Sequence, residues 1–538
     1  MADFRCEGEC LKEENDHDAI LKSISEMLMK EEEDLGNKPC MLHDSLALQA
    51  TEKSLYDALN NDLDQNPESP DDRFTKTGSI ATKMVERNPR EKKNRSREDN
   101  DSTKEQRTNK QLANNVGETE PLEMYDNVLL DVMMQTCSKT EQTKAQKKVG
   151  KTKQDVVDLQ SLLMQCAQAM ANCDSTAVND LFLRIRHHSS PQGDGTERLA
   201  HYFANALEAR LAGTGSELYS KFSLDRISAA DVLKAYKAYV TAFPLKKMSH
   251  LLANKTIEKL ATGATTLHIV DFGILHGYQW PCLIQALSER RGGPPKLRIT
   301  GIDFPQPGFR PAERVANTGL RLEKYCKRFG VPFEYNAIAQ KWDTVRAEDL
   351  KINKNECLVV NSLYWLHNVL DDETELVVSP RDVVLNLIRS INPDMFVHGV
   401  INGNYNTPFF ILRFRQALLH YASMFDMLDA TMPLGEGNRL LIEQVFGSIV
   451  TNIIACEGAE RIERPDTYKK WQVRNLKAGF RQLPFDPKTV SIVRSKVEMD
   501  YHKDFLVDED GKWVLQGWKG RVDSAISCWQ PAHNRSSS

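Results

Sequence analysis

The fold class this 538-residue sequence predicts is α/β: a doubly wound, mostly parallel sheet, led in by a helical region and a largely disordered arm. Three observations predict it. Near Asp155 the composition changes from polar and charged to apolar runs, with aromatics and spaced Gly/Pro turns that continue to Pro531. Within that part, helical spacing comes first, from Val156 to Ala212. From Thr266 onward, short apolar runs alternate with amphipathic stretches, as parallel strands joined by right-handed crossover helices do.

The arm is read from its charge. Residues 1–72 hold 20 acids and 6 bases, whereas residues 73–153 hold 12 acids and 18 bases. Such a segment buries too little apolar surface to offset chain entropy, so residues 1–154 are expected to be disordered. Apolar islands interrupt it. Ile20, Ile24 and Met27 recur at helical spacing before a run of acids, and further islands hold Leu55, Tyr56 and Leu59, then Tyr125, Val128 and Leu129. Each predicts a short amphipathic helix. It either lies in a partner's groove, as in an acidic activation segment, or folds back on the chain's own core. The cluster Lys92, Lys93, Arg95 and Arg97 is a nuclear-import candidate or a solvated linker.

Several function classes are excluded at this level. No run approaches the roughly 18 apolar residues of a membrane-spanning helix, and the polar start MADFRCEGEC predicts no secretory leader. Eleven cysteines, an odd number without a CxxC pair, predict neither a disulfide framework nor a zinc cluster, and no metal site is expected. HExxH, GxSxG and phosphate-binding GxxxxGK[ST] patterns are absent from the sequence, so no catalytic residues are assigned.

The elements follow in order. Val156, Leu159, Leu163, Cys166 and Met170 form a helical stripe, and a Pro/Gly-rich turn at Ser190–Gly195 separates it from a run holding Leu199, Phe203 and Leu207. Leu159, Leu162 and Leu163 make an LxxLL pattern, which either docks in a coregulator groove or is ordinary helical packing. Thr266–Gly273 reads as a buried strand ending in Asp-x-Gly, and Pro281–Leu287 as the helix after it. Leu297–Asp303 is a second strand ending in an acid. A helix over Pro311–Phe329, a strand at Pro332–Ala337, strands at Cys357–Leu363 and Met395–Ile401 and a helix at Val383–Ser390 complete the alternation. Phe505–Val507, a turn at Asp510–Gly511 and Trp513–Trp518 predict a hairpin, with a last strand at Ala525–Trp529.

This is the element order of nucleotide- and adenosyl-binding sheets, in which the first strand-to-helix turn faces the cofactor and an acid after strand two takes ribose hydroxyls. Asp271, Gly273, Gly277 and Asp303 stand at those positions, a residual crevice. Leu275 occupies a place where a cofactor's approach favours glycine, so no cofactor is expected there. The turn is either a packing device, with Asp271 accepting from its N–H groups and the following helix N-terminus, or a retained small-molecule site. His268 is expected to be a satisfied core histidine, and His367 to pack or cap near the crevice.

At these residues the chain resembles the plant GRAS family of transcriptional regulators. The family's VHIID motif appears as Leu267-His-Ile-Val-Asp271, flanked by leucine-rich regions at about 157–260 and 312–350. A PFYRE-like region covers about 362–450. Asn452 to Arg464 matches the family's N-x-x-A-C-E-G-x-x-R-x-E-R stretch, and the terminal SAW motif reads Ser527-Cys528-Trp529. The arm's islands resemble the scarecrow-like branch first described from lily. The resemblance implies a Rossmann-like, methyltransferase-related domain over 155–531. Its helical cap would come mainly from 155–260 and its α/β core from about 261–531, with 532–538 as a disordered tail. It also implies a nuclear co-activator that docks on DNA-binding transcription factors or other GRAS chains. Promoter DNA would be reached mainly indirectly, and homo- or heterodimers are compatible with this. The alternative is a small-molecule-binding or methyltransferase-like enzyme using the crevice near Asp271 and Asp303.

Overall fold

The computed structural model describes residues 157–221, 229–371, 378–433, 435 and 437–532. The expectations for the arm, including Ile20, Ile24, Met27, Lys92, Lys93, Arg95 and Arg97, lie outside the described residues.

Among the described residues six helices precede the first strand: α1 (Leu159–Ala171), α2 (Ser175–His188), α3 (Gly195–Ala212), α4 (Gly215–Lys221), α5 (Ala229–Ala242) and α6 (Pro244–Leu260). Their ends are chemically marked. Asp158 caps α1 by accepting from the Gln160 and Ser161 N–H groups, each at 3.1 Å. Asp194 and Glu197 form a reciprocal capping box on α3, which ends at left-handed Gly213.

The strands are β1 (Thr266–Phe272), β2 (Lys296–Asp303), β3 (Phe333–Ala339), β4 (Cys357–Leu363), β5 (Met395–Ile401), β6 (Phe480–Leu483), β7 (Phe505–Asp510), β8 (Trp513–Trp518) and β9 (Arg521–Pro531). They form one sheet in the order β3-β2-β1-β4-β5-β9-β8-β7, with β6 paired to β9. The first five are parallel, in a register that sets Asp271 beside Gly301 and Asn361. β9 returns antiparallel to β5, placing Ser527 against His398. The helices between and after them are α7 (Trp280–Ser288), α8 (Glu313–Phe329), α9 (Pro380–Ser390), α10 (Phe410–Thr431), α11 (Gly437–Ala455), α12 (Tyr468–Lys477) and α13 (Pro487–Asp500). This is the Rossmann-like sheet that the sequence predicts.

Alternate strand residues feed two apolar cores. Leu267 and Ile269 of β1 join one, and Val270 and Phe272 join the other. The first core extends into the helical cap. That cap also draws on α10 and α11, which pack against α1, α3, α4 and α5, so residues 410–455 add to the region 155–260. A buried ion cluster ties these pieces together. Glu443 of α11 accepts from Arg198 of α3 and from Arg439, both at 2.9 Å, and both guanidinium groups also bond Asp429 of α10.

Leu159, Leu162 and Leu163 are buried in the cap core at 4%, 4% and 0% exposure. The stripe of α1 packs against the protein's own helices, and the LxxLL pattern presents no leucine face for a coregulator groove. No described helix is long and apolar enough to cross a membrane. No described group of His, Cys, Asp and Glu has a metal-binding arrangement.

Candidate functional site

The first strand-to-helix turn lies at the C-terminal ends of β1 and β4. Gly273, Leu275 and Gly277 all take left-handed backbone conformations, with φ of 94°, 46° and 69°. Leu275 adopts this conformation despite its Cβ, held in part by Thr318, whose hydroxyl donates to the Leu275 carbonyl at 2.5 Å. The N–H groups of both turn glycines are already used. Gly273 N donates to Ile302 O at 2.9 Å, Gly277 N to Ile274 O at 2.8 Å and Trp280 N to Gly277 O at 3.1 Å.

Asp271 is 4% exposed and does not accept from this turn, contrary to the sequence expectation. Its oxygens take the Trp280 indole N–H at 2.8 Å and the Asn361 amide at 2.9 Å. The turn turns away to bond β2, whereas α7 opens by swinging the Trp280 ring over the carboxylate. Burial raises the Asp271 carboxyl to about 7, against the lowering effect of those two donors. Asp303, the ribose-acid position, is equally committed: one oxygen takes the Phe304 N–H at 2.9 Å and the other the Arg314 guanidinium at 2.9 Å.

A nucleoside cofactor does not fit this half of the crevice. A Cβ placed on Gly273 would lie 2.5 Å from the Trp365 ring, so the indole already occupies the face where a cofactor would approach the bare backbone. The Gly273 and Gly277 N–H groups and the acid such a ligand needs, Asp303, are bonded within the protein. The crevice survives on its other side. A cavity of about 320 Å³ lies between the strand ends and the cap, lined by β9, α5, α6, α10 and α11 as well as by the turn. Asp271, Gly273 and Gly277 are among the residues that line it, and Asp303 does not line it.

The two histidines singled out by sequence are both engaged. His268 Nδ1 pairs with Glu356 at 2.6 Å and Nε2 with the Thr300 hydroxyl at 2.8 Å, a satisfied core position. His367 lines the cavity and pairs through Nε2 with Glu463 at 2.9 Å.

Glu463 belongs to a segment whose chemistry sequence reasoning left unread. Asn452 accepts from the Ile462 and Glu463 N–H groups, each at 2.9 Å, and donates to Glu460 O at 2.9 Å. Glu457 bonds Arg210 at 2.7 Å and also pairs with Arg413. Arg381, at 1% exposure, donates to the carbonyls of Val369, His367 and Arg464 and to Asp466 at 2.7 Å. The stretch Asn452–Arg464 is a polar clasp joining cap, sheet and cavity wall. The N-x-x-A-C-E-G-x-x-R-x-E-R pattern marks the stretch in the sequence but not the bonds it makes.

Residues 159–530 match the model of the GRAS domain family. The chain belongs to the GRAS family. Scarecrow-like protein 14 of Arabidopsis thaliana is 49% identical over 466 residues, covering 82% of this chain and 60% of that relative's length. Scarecrow-like transcription factor PAT1 of the same plant is 34% identical over 375 residues, covering 69% of this chain and 76% of that protein. The crystal structure of SCL7 from Oryza sativa superposes with a TM-score of 0.59 at 30% identity, over 70% of this chain and all of that one. The fold of this GRAS domain is therefore similar to that of the rice protein.

Proposed function

We propose that this GRAS chain is a non-enzymatic transcriptional regulator of the nucleus that acts through protein contacts. The observation that carries the reading is the family match over residues 159–530, which includes a relative named as a transcription factor. The occupied first turn supports it, because Trp365, Leu275 and Arg314 stand where a methyl donor would bind. In this reading the domain docks on a DNA-binding transcription factor or another GRAS chain. The acidic arm recruits the transcription machinery through the Ile20, Ile24 and Met27 stripe, and Lys92, Lys93, Arg95 and Arg97 serve nuclear import. Burial removes Leu159, Leu162 and Leu163 from the partner surface.

The test fuses the full chain to a heterologous DNA-binding domain over a reporter. Activation is expected. Replacing Ile20, Ile24 and Met27 together with Ala is expected to reduce it at equal protein abundance, since the apolar stripe goes while the charge stays. An unchanged signal removes the stripe from the mechanism, and no activation by the parent fusion removes the co-activator reading.

A further inference from the structure

The cap side of the crevice holds an arrangement that the regulator reading does not use. Asp523 of β9 is 2% exposed and lines the cavity, yet neither carboxylate oxygen has a donor in good hydrogen-bond geometry; the Ser423 hydroxyl and the Trp518 backbone N–H lie near it without making a well-formed bond. His420 of α10 lies beside it, its Nδ1 buried without a hydrogen-bond partner and 4.0 Å from Asp523 Oδ1. Arg521 Nε stands 3.7 Å from the same oxygen. A buried carboxylate this poorly bonded is costly, and native interiors rarely keep one. Most of the remaining wall is apolar or aromatic, including Tyr239, Met424, Ile442 and Phe446.

We infer that this cavity is a binding site for an uncharged, ring-bodied apolar molecule bearing a hydroxyl group. Its hydroxyl would sit between His420 and Asp523, donating to the carboxylate and accepting from the imidazole Nδ1–H. A 4.0 Å gap is too long for a direct bond but admits a bridging oxygen to one side. The body would fill the aromatic and aliphatic wall, and the cavity volume is in the range of small-ligand sites. Charged ligands are disfavoured. Burial and nearby Arg521 hold His420 near 3, so its ring is neutral, and burial raises Asp523 to about 7. A nucleoside is excluded for the separate reason that Trp365 covers the Gly273 backbone.

The probes are 2-naphthol and its deoxy counterpart naphthalene, titrated calorimetrically into the full chain, with S-adenosylhomocysteine as the nucleoside control. 2-Naphthol is expected to bind with a Kd near or below about 100 μM. Naphthalene should bind at least about tenfold more weakly, the worth of one hydroxyl hydrogen bond pair. S-adenosylhomocysteine should neither bind nor displace 2-naphthol. Asp523→Leu should make the two probes bind alike, and Ala235→Trp, which fills the cavity from α5, should abolish both. If Asp523→Leu does not fold, the probe comparison in the parent chain and in Ala235→Trp still decides. The proposal is overturned by no 2-naphthol binding at about 1 mM, by equal affinity for the two probes in the parent chain, by undiminished binding in Ala235→Trp, or by displacement with S-adenosylhomocysteine.

Discussion

Replacing Arg381 tests whether the Asn452–Arg464 stretch owes its place to polar bonding. Arg381 lies at the start of α9, and five acceptors converge on it: the carbonyls of Val369 and His367 at 3.0 Å, Arg464 O at 2.7 Å, and the carboxylates of Asp466 at 2.7 Å and Asp371 at 3.3 Å. Asp371 and Asp466 side chains are only 10% and 9% exposed, so water does not replace the guanidinium readily. Arg381→Leu removes one partner of a buried charge set, which costs about 3–5 kcal/mol. With an unfolding entropy of about 2 cal/mol/K per residue over roughly 370 ordered residues, that becomes a drop of about 4–6 °C in Tm. Arg381→Lys keeps the charge but serves at most three acceptors, so its loss should be smaller than that of the Leu variant. Differential scanning calorimetry of the full chain reads both. The Leu variant should also show faster proteolysis between Arg461 and Asp466. A Tm within about 1 °C of the parent for Arg381→Leu refutes the argument, because the scatter of such measurements is below the predicted shift.

Further outcomes follow from the same contacts. Asp271→Ala strips the Trp280 indole of its acceptor, whereas Asn361 keeps Gln279 at 3.2 Å, so the loss at pH 5.5 should be about 1–3 kcal/mol by chemical denaturation. That loss should shrink by pH 8. The folded Asp271 carboxyl is raised to about 7 from 3.8, so the folded state keeps a proton the unfolded state releases, and stability falls as pH rises across that window. A loss that grows with pH contradicts this assignment. Asn452→Ala should cost about 1–3 kcal/mol, because the Ile462 and Glu463 N–H groups lose their acceptor. Replacing Lys92, Lys93, Arg95 and Arg97 with Ala should shift a fluorescent fusion from nucleus to cytoplasm. An unchanged distribution assigns import to other residues.

The sheet was legible because its parallel strands are buried on both faces. Cys357–Leu363 and Met395–Ile401 were read from apolar runs, and they match β4 and β5 end to end. β6 escaped notice because it has four residues, only Phe480 is buried, and its partner is the far end of β9. Composition also allowed two roles for Leu159, Leu162 and Leu163. An amphipathic stripe has the same sequence whether its apolar face meets its own core or a partner, and burial alone separates the two. The partners of Asp271 were misread for a related reason. Sequence order placed the turn N–H groups nearest, but the Gly273 N–H bonds Ile302 of β2 and the Gly277 N–H bonds Ile274 within the turn, and a ring nine residues away supplied the donor. The setting of Asp523 was illegible altogether, since β9, α10 and the strand ends meet there only in three dimensions.

The glycines of the first turn show why a cofactor-like spacing is weak grounds for a cofactor. A Cβ on Gly277 would lie 2.9 Å from the Thr318 methyl, and one on Gly273 would strike Trp365. Both residues also sit at positive φ, where a side chain is strained. Each glycine is therefore demanded by close packing of α8 and the β4 end against the turn, with no ligand needed to account for it. The Trp365 ring takes the bare backbone that a nucleoside would need, and Arg314 neutralises the acid that would hold its ribose. The turn thus keeps a cofactor-like glycine spacing while the groups around it bond within the protein. What remains open is the wall built by the cap, where α10, α11 and β9 meet. A ligand admitted there would touch the elements that the Glu443 ion cluster and the Asn452–Arg464 clasp hold together. Binding at that wall would act on the packing of cap against sheet, and it requires no chemistry at Asp271.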